Sequence, residues 1–324
     1  MRGVFLAAGV GLFVFLVVRL GPGSILEMVG RIGWNAPAIA GIYALHQALR
    51  AQALSDSVTG RRLRWRDALA IRLSGESVQF LTITGPFLAE PAKAWLLTRR
   101  GLSTVEGFAA TLTEFFIYTF VAACVSIAAI GWLLTHQTLH GAVRDGAVGL
   151  MAAMILFLAA ATWAIARRYY LLGTILEGLS RAPGLRRRLH PDMPGVHRVE
   201  DLLLGTLRDR PRRFAWISAV EAGSHAVLLF ELYWIMRTLH LSAGIGTAFL
   251  VDGATKFIEL GFFFIPGQIG ASEAAHTAVF EILGLPAAAG FAVPFVRRIR
   301  SAAVAGVGLL AMSVLMRRSA ARDP

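Results

Sequence analysis

The chain has one cysteine, Cys124, in 324 residues, so it can form no intramolecular disulfide. Charge is scarce as well: charged residues are 16% of the sequence, against about a quarter in an ordinary soluble domain. Lysine is almost missing, with Lys93 and Lys256 the only two among 32 cationic side chains. No Gly-x-x-x-x-Gly-Lys-Ser/Thr loop is present to cradle nucleotide phosphates, so direct use of ATP is not expected. No His-Glu-x-x-His or Cys/His cluster suggests a metal, and no Gly-x-Ser-x-Gly elbow suggests an acyl nucleophile. No Asp-x-Asp pair marks a metal-dependent sugar transferase. These absences leave no cofactor to expect and no catalytic motif that marks an enzyme. The net charge of +12 comes without any nucleic-acid-binding module, so nucleic acid is not an expected partner.

What the sequence does have is apolar surface. Hydrophobic residues make up 56% and the mean hydropathy is +0.61. That composition excludes a disordered chain and a disulfide-stapled module. Several apolar runs reach about 20 residues, the length at which a helix crosses a bilayer. The sequence therefore predicts an all-α polytopic membrane protein, a single transmembrane domain over 1–324, with its basic loops on the cytoplasmic side.

The run from Val4 to Leu20 reads as a retained first helix, because Gly21-Pro22-Gly23 offers no cleavage site. A second helix spans Trp34 to Leu54. Arg61, Arg62, Arg64 and Arg66 follow it and place that loop, and the N-terminus, inside. The stretch from Ala68 to Thr84 breaks at Gly85-Pro86 and returns through a short segment from Pro91 to Leu97. A return arm of roughly 9 residues is about 13 Å long, under half a bilayer. It predicts a re-entrant hairpin entered from inside. Ser103-Thr104-Val105-Glu106 resembles a capping box that opens a long helix to about Leu134, and Ala147 to Ala166 returns inside.

Residues 167–213 hold eleven arginines against five acids and form the main cytoplasmic loop. An amphipathic helix around Tyr169 to Leu179 is expected to lie there on anionic lipid. Phe214 to Met236 crosses outward. Ile245 to Ile265 enters from outside and breaks at Pro266-Gly267-Gln268-Ile269-Gly270. Ser272 then caps a short helix from Glu273 to Leu283. A last helix from Pro286 to Met316 ends at Arg317-Arg318 inside, which makes both termini cytoplasmic. The sum is about six full spans and two re-entrant hairpins.

Two halves, about 34–134 and 214–316, match at an offset of roughly 182. Gly85-Pro86 aligns with Pro266-Gly267, Glu90 with Glu273 and Glu114 with Arg297. One hairpin enters from each side, so the repeats are inverted, an arrangement found in transporters. Backbone freed at the breaks must line a cavity or pack on protein, and the helix N-termini there favour anions.

Charges inside the membrane cost about 2.5 to 3.5 kcal/mol each on insertion scales, so each needs a reason. Arg297, Arg298 and Arg300 fall in the middle of the last helix and suit bidentate phosphate binding. The alternative is that they mark a loop end. Asp252, Lys256 and Glu259 share one helical face, as a binding cluster or as a self-neutralising one. Glu90 with Lys93 and Glu273 with His276 stand at the starts of the return helices, as ligands or as caps. Glu114, the counterpart of Arg297, is expected to pair with it across the pseudo-twofold. His46 with Arg50, and Glu221 with His225, are further pairs four residues apart.

The residues from Glu76-Ser77-Val78 through Thr84-Gly85-Pro86 to Glu90-Pro91-Ala92-Lys93-Ala94-Trp95 resemble one signature of a known family. Ile265-Pro266-Gly267-Gln268-Ile269-Gly270-Ala271-Ser272-Glu273, with Arg297-Arg298-Ile299-Arg300 downstream, resembles its second. The family is the lysylphosphatidylglycerol synthase/flippase transmembrane-region family, and the resemblance covers nearly the whole chain. It implies a bacterial-type inner-membrane protein that moves an amphiphilic lipid between leaflets. The best-known members carry an aminoacyltransferase domain after the membrane part. This chain stops at Pro324 and is expected to lack that activity.

The expected substrate is an anionic or zwitterionic lipid held between the hairpins. Arg297, Arg298 and Arg300 would take its phosphate, with help from Lys93 and Lys256. Glu90, Glu273, Asp252 and Glu259 would bind a cationic group or relay protons. A membrane-embedded transferase acting on a lipid-linked sugar or polyprenyl phosphate, and a non-transporting scaffold in lipid synthesis, are the alternatives. Abundant Gly and Ala permit close helix packing or a homodimer.

Overall fold

The computed structural model describes residue 18 and residues 22–82, 85–181, 192–261 and 268–320. Every regular element among them is helical. The expected first helix, Val18 apart, lies outside the described residues, as do Thr84 and the Pro266-Gly267 part of the second break.

Helix α1 (Pro22–Ile32) leads through a 3-10 turn (Gly33–Asn35) into α2 (Ala36–Ser57). Helix α3 (Trp65–Leu81) and α4 (Pro86–Thr98) form the first hairpin, and α5 (Thr104–His136) and α6 (Gly141–Arg167) follow as long helices. The basic loop folds into α7 (Leu171–Arg181) and α8 (Met193–Leu207). The second half comprises α9 (Pro211–Thr238), α10 (Ile245–Gly261), α11 (Ala271–Ile282) and α12 (Ala287–Ala320).

Among the described residues three helices are long and apolar enough to cross a membrane: α5, α6 and residues 287–317 of α12. Helices α2 and α9 are long as well; the 28 residues of α9 extend about 42 Å. Both carry buried ionic side chains mid-length, which lowers their apolarity while leaving their reach unchanged.

Local chemistry explains the helix starts. The Ser103 hydroxyl accepts the Glu106 N–H at 3.2 Å and the Glu106 carboxylate accepts the Ser103 N–H at 2.8 Å, so the expected capping box forms. Two expected starts are corrected. The return helix α4 begins at Pro86, not Pro91, because Gly85 turns the chain with φ +47° and Pro86 suits the first helical position. Pro91 then sits within α4 and removes a single helical bond. Helix α11 is capped by Gly270, with φ +81°, not by Ser272. Two helices that the apolar pattern did not single out are α1 and α8, both short and amphipathic.

The packing of the two halves corresponds pair by pair. Helices α2 and α9 pack against each other in the middle. In the first half α3 packs on α4 and α4 on α5; in the second α10 packs on α11 and α11 on α12. Across the halves α3 packs on α12, and α10 on α5. Close backbone approach repeats too. A Cβ on Gly107 of α5 would stand 2.8 Å from the Ala94 carbonyl oxygen of α4. One on Gly290 of α12 would stand 2.8 Å from Thr277 Cα and 2.9 Å from the His276 oxygen of α11. Glycine at both places lets a short helix lie on a long one.

Gly107→Ala and Gly290→Ala should therefore each destabilise the protein by about 1–3 kcal/mol, the usual penalty of overpacking. Gly223→Ala on α9, where the nearest atom is Leu49 Cδ1 at 3.8 Å, should be neutral or stabilising, since alanine favours helix by about 1 kcal/mol. Thermal unfolding in detergent reads all three. Equal losses at the three positions would contradict the close approaches.

Candidate functional site

The buried charges meet in two main clusters, each built largely from one half. The first is centred on Glu114 of α5, which is fully buried. Arg50 of α2 donates from Nε to Glu114 Oε1 at 2.8 Å, and a second guanidinium nitrogen pairs with the same oxygen. Lys93 of α4 donates to Glu114 Oε2 at 2.9 Å and also pairs with Glu90 at 2.9 Å. Glu221 of α9 lies 3.2 Å from Arg50 Nε and accepts from the Ser224 hydroxyl at 3.0 Å. The Arg50 guanidinium also stacks over Tyr118 at 3.6 Å, whose other neighbour is the His225 ring at 4.4 Å. Gly75 of α3 makes room for the Lys93 stem: a Cβ there would be 2.6 Å from Lys93 Cγ.

The second cluster is centred on Glu231 of α9, also fully buried. Arg297 and Arg300 of α12 are three apart and share a helix face. Both pair with Glu231, Arg297 through Nε at 3.3 Å. Arg297 Nη2 also donates to the Leu228 carbonyl at 3.2 Å and lies 3.7 Å from Asp252 of α10. Asp252 pairs with Lys256 one turn further on. Arg298 points a different way, to Glu273 of α11, at 2.6 Å. Glu273 in turn accepts the Gly270 N–H at 2.8 Å, so it caps α11 and holds Arg298 at once.

The two clusters are equivalents with their charges exchanged. Arg50 and Glu231 occupy matching places on α2 and α9, 181 residues apart; Glu114 and Arg297 match on α5 and α12, 183 apart. One half has its cation on the first helix and its acid on the long one, and the other half reverses them. Tyr43 extends the second cluster toward α3: its ring lies 3.5 Å under the Arg300 guanidinium, and its hydroxyl donates to Glu76 of α3 at 2.7 Å. Arg72 of α3 completes this link, 3.4 Å from Glu76.

Several sequence expectations are settled by this geometry. Arg297, Arg298 and Arg300 lie inside one continuous helix, so they do not mark a loop end. Glu114 does not pair with Arg297; its partners are Arg50 and Lys93 of its own half. Lys93 is fully buried between two carboxylates and is their counter-ion. Glu90 stands a turn inside α4 and bonds Lys93 instead of capping the helix, whereas Glu273 does cap. The Glu259 side chain lies outside the described residues. The accessible cations belong to the second half: the Arg298 side chain keeps 23% of its surface and Arg297 keeps 18%, against 4% for Arg50.

Sequence reasoning missed Glu231, Glu76, Arg72 and Tyr43, and treated Arg50 as a minor pair. The repeat offset was the available signal for Glu231, since it maps Arg50 onto an acid. Among the described residues no group of three or more His, Cys, Asp or Glu side chains could hold a metal ion.

The pairing has a measurable signature. In double-mutant cycles read by thermal unfolding, Glu114→Gln with Lys93→Met should be non-additive by about 1–3 kcal/mol, as expected for contacting charges. Glu114→Gln with Arg297→Met should show clearly weaker coupling. Equal coupling in the two cycles would refute the assignment of Glu114 to Arg50 and Lys93.

Comparison with known proteins adds one result. No curated protein and no solved structure matches the chain. The model of the family described as the lysylphosphatidylglycerol synthase TM region matches residues 3–308. That match runs over nearly the full length of a helical chain with helices apolar enough to cross a membrane: the chain belongs to the lysylphosphatidylglycerol synthase transmembrane-region family.

Proposed function

We propose that this protein is a flippase-like lipid transporter of the inner membrane, with both termini cytoplasmic. In this reading its helices form about six crossings and two re-entrant hairpins in an inverted repeat. Family membership already ties the chain to the handling of membrane lipid. The hairpin arms support the finer reading by their length. Helices α4 and α11, of 13 and 12 residues, reach only about 18–20 Å, well short of a bilayer of about 30 Å.

The observation that carries the proposal is the Arg298–Glu273 pair. It joins the long helix α12 to the capped start of α11, beside the helix break. Arg298 is also the most accessible of the arginines in these clusters. A lipid phosphate or other anionic headgroup would take the guanidinium, which binds such oxyanions in bidentate fashion. Glu273 would keep the Gly270 N–H and so remain satisfied while Arg298 is engaged. Lys256 and Asp252, in the same cluster, would meet the next part of the headgroup. A lipid tail would find an apolar cavity of about 500 Å³ between α5, α9 and α10, lined by Phe120, Cys124, Ser218, Ala222 and Phe249. Its α9 wall, Ser218 and Ala222, lies beside Glu221 of the buried network.

Proteoliposomes carrying a fluorescent phospholipid test this directly. Wild type should exchange the lipid between leaflets, and Arg298→Ala and Glu273→Gln should each lose at least about tenfold in rate, equivalent to about 1.4 kcal/mol. Native mass spectrometry should find a lipid bound to wild type and lost from Arg298→Ala. Wild-type exchange rates in both variants would remove this site. Recovery of a chemically altered lipid would favour a transferase instead.

A further inference from the structure

We infer that α7 is an in-plane helix docked on an anionic bilayer surface, held there by arginines at the ends of α6 and α8 and the start of α9. Leu171, Ile175 and Leu179 recur every four residues and so line one face of α7. They are 45–50% exposed, and among the described residues nothing covers them. Such a stripe on a folded loop needs a partner.

The helix is not free to turn that stripe inward, because its opposite face is fixed. Glu200 of α8, itself buried, accepts the N–H groups of Leu172 at 2.6 Å and Gly173 at 3.2 Å, satisfying the open donors at the start of α7. Tyr170 donates to Asp201 at 2.6 Å. Gly173 lies against His197, where a Cβ would come within 2.9 Å of the ring. Leu172 and Leu176 are half-buried on this side.

Charge and position identify the partner as lipid. Helix α6, apolar enough to cross the membrane, ends at Arg167 only four residues before α7 begins. Exposed Trp163, Tyr169 and Tyr170 cluster at that end, where a membrane-crossing helix meets the headgroups. The Arg168–Asp209 pair, at 2.6 Å, ties the same end to the turn between α8 and α9. Arg167, Arg208, Arg210 and Arg212 are exposed there without an ion-pair partner among the described residues. An apolar stripe rimmed by unpaired arginines fits the boundary of a leaflet rich in anionic headgroups.

The inference does not depend on the headgroup path, and its test is separate from transport. In full-length protein with Cys124→Ser, nitroxide labels go on Leu171→Cys, Ile175→Cys and Leu179→Cys, with Thr174→Cys as the flanking control. Nanodiscs are made of phosphatidylcholine alone or mixed with phosphatidylglycerol. At the three stripe positions lipid-soluble oxygen should reach the label better than a water-soluble nickel complex, with the reverse at position 174. The stripe's preference should rise at least about twofold with phosphatidylglycerol and fall again in high salt. Arg210→Ser with Arg212→Ser should reduce that rise. Preferential access of the nickel complex at all three stripe positions, or the same preference in both lipid mixtures, would overturn the inference.

Discussion

The structure depends on sharing buried charge. In a medium with few waters an isolated carboxylate or guanidinium is costly enough to be excluded. Glu114 is tolerable because two cations from two other helices reach it, and Glu231 because two arginines do. Each acid therefore fixes the relative position of the helices that satisfy it. Arg50 brings α2 to α5, Lys93 brings α4 to α5, and the Arg297–Arg300 pair brings α12 to α9. Apolar contact alone supplies no such address between helices in lipid, where the tails are as apolar as the side chains. Taking away one member of a buried pair typically costs about 3–5 kcal/mol because its partner is left uncompensated.

The same constraint shapes what the protein can do. A headgroup entering these clusters meets cations that already hold carboxylates, so binding is an exchange of partners. Exchange is easiest where the displaced carboxylate keeps another donor and the cation is reachable. Glu273, with the Gly270 N–H, and Arg298 meet both conditions. Glu114 meets only the first, since it would keep one cation if the other left but both cations are sealed from the surface. On the proposed function the two clusters would divide the work between holding the helices and meeting a ligand, although they occupy matching places.

Much of this was legible in the sequence, and the failures have physical causes. Long apolar runs and the Ser103–Glu106 box defined α5, and Gly85-Pro86 marked the break before α4. The Arg297–Arg300 cluster stood out because charge is rare in such a run. Pairing was less legible. The repeat offset aligned Glu114 with Arg297, and opposite charges at equivalent places suggested a bond between them. Equivalence relates positions by symmetry, however, and does not bring them into contact. The true partners sit on the other helices of each half, and the offset carries them too: it takes Arg50 to Glu231. The start of α4 was missed because Pro86 and Pro91 are both plausible first residues, and only Gly85, with its positive φ, decides between them. Helices α1 and α8 were missed because they are short and amphipathic, and too few apolar residues run together in them to stand out in a hydropathy profile.

The exchange of charge between the halves has a consequence for any alternating mechanism built on an inverted repeat. If the halves trade places between two states, their backbones can become equivalent but their chemistry cannot. Opening the second half exposes arginines anchored on acids of α9 and α11. Opening the first would expose Glu114 and Glu90 around a lysine and Arg50. A phosphate would find cations readily on one side and would have to compete with a richer set of carboxylates on the other. Binding on the two faces would then differ in strength even for one lipid, and an uneven pair of sites gives a transporter a preferred side for loading. The asymmetry lies in four residues, Arg50, Glu114, Glu231 and Arg297, whose order along the two repeats is reversed.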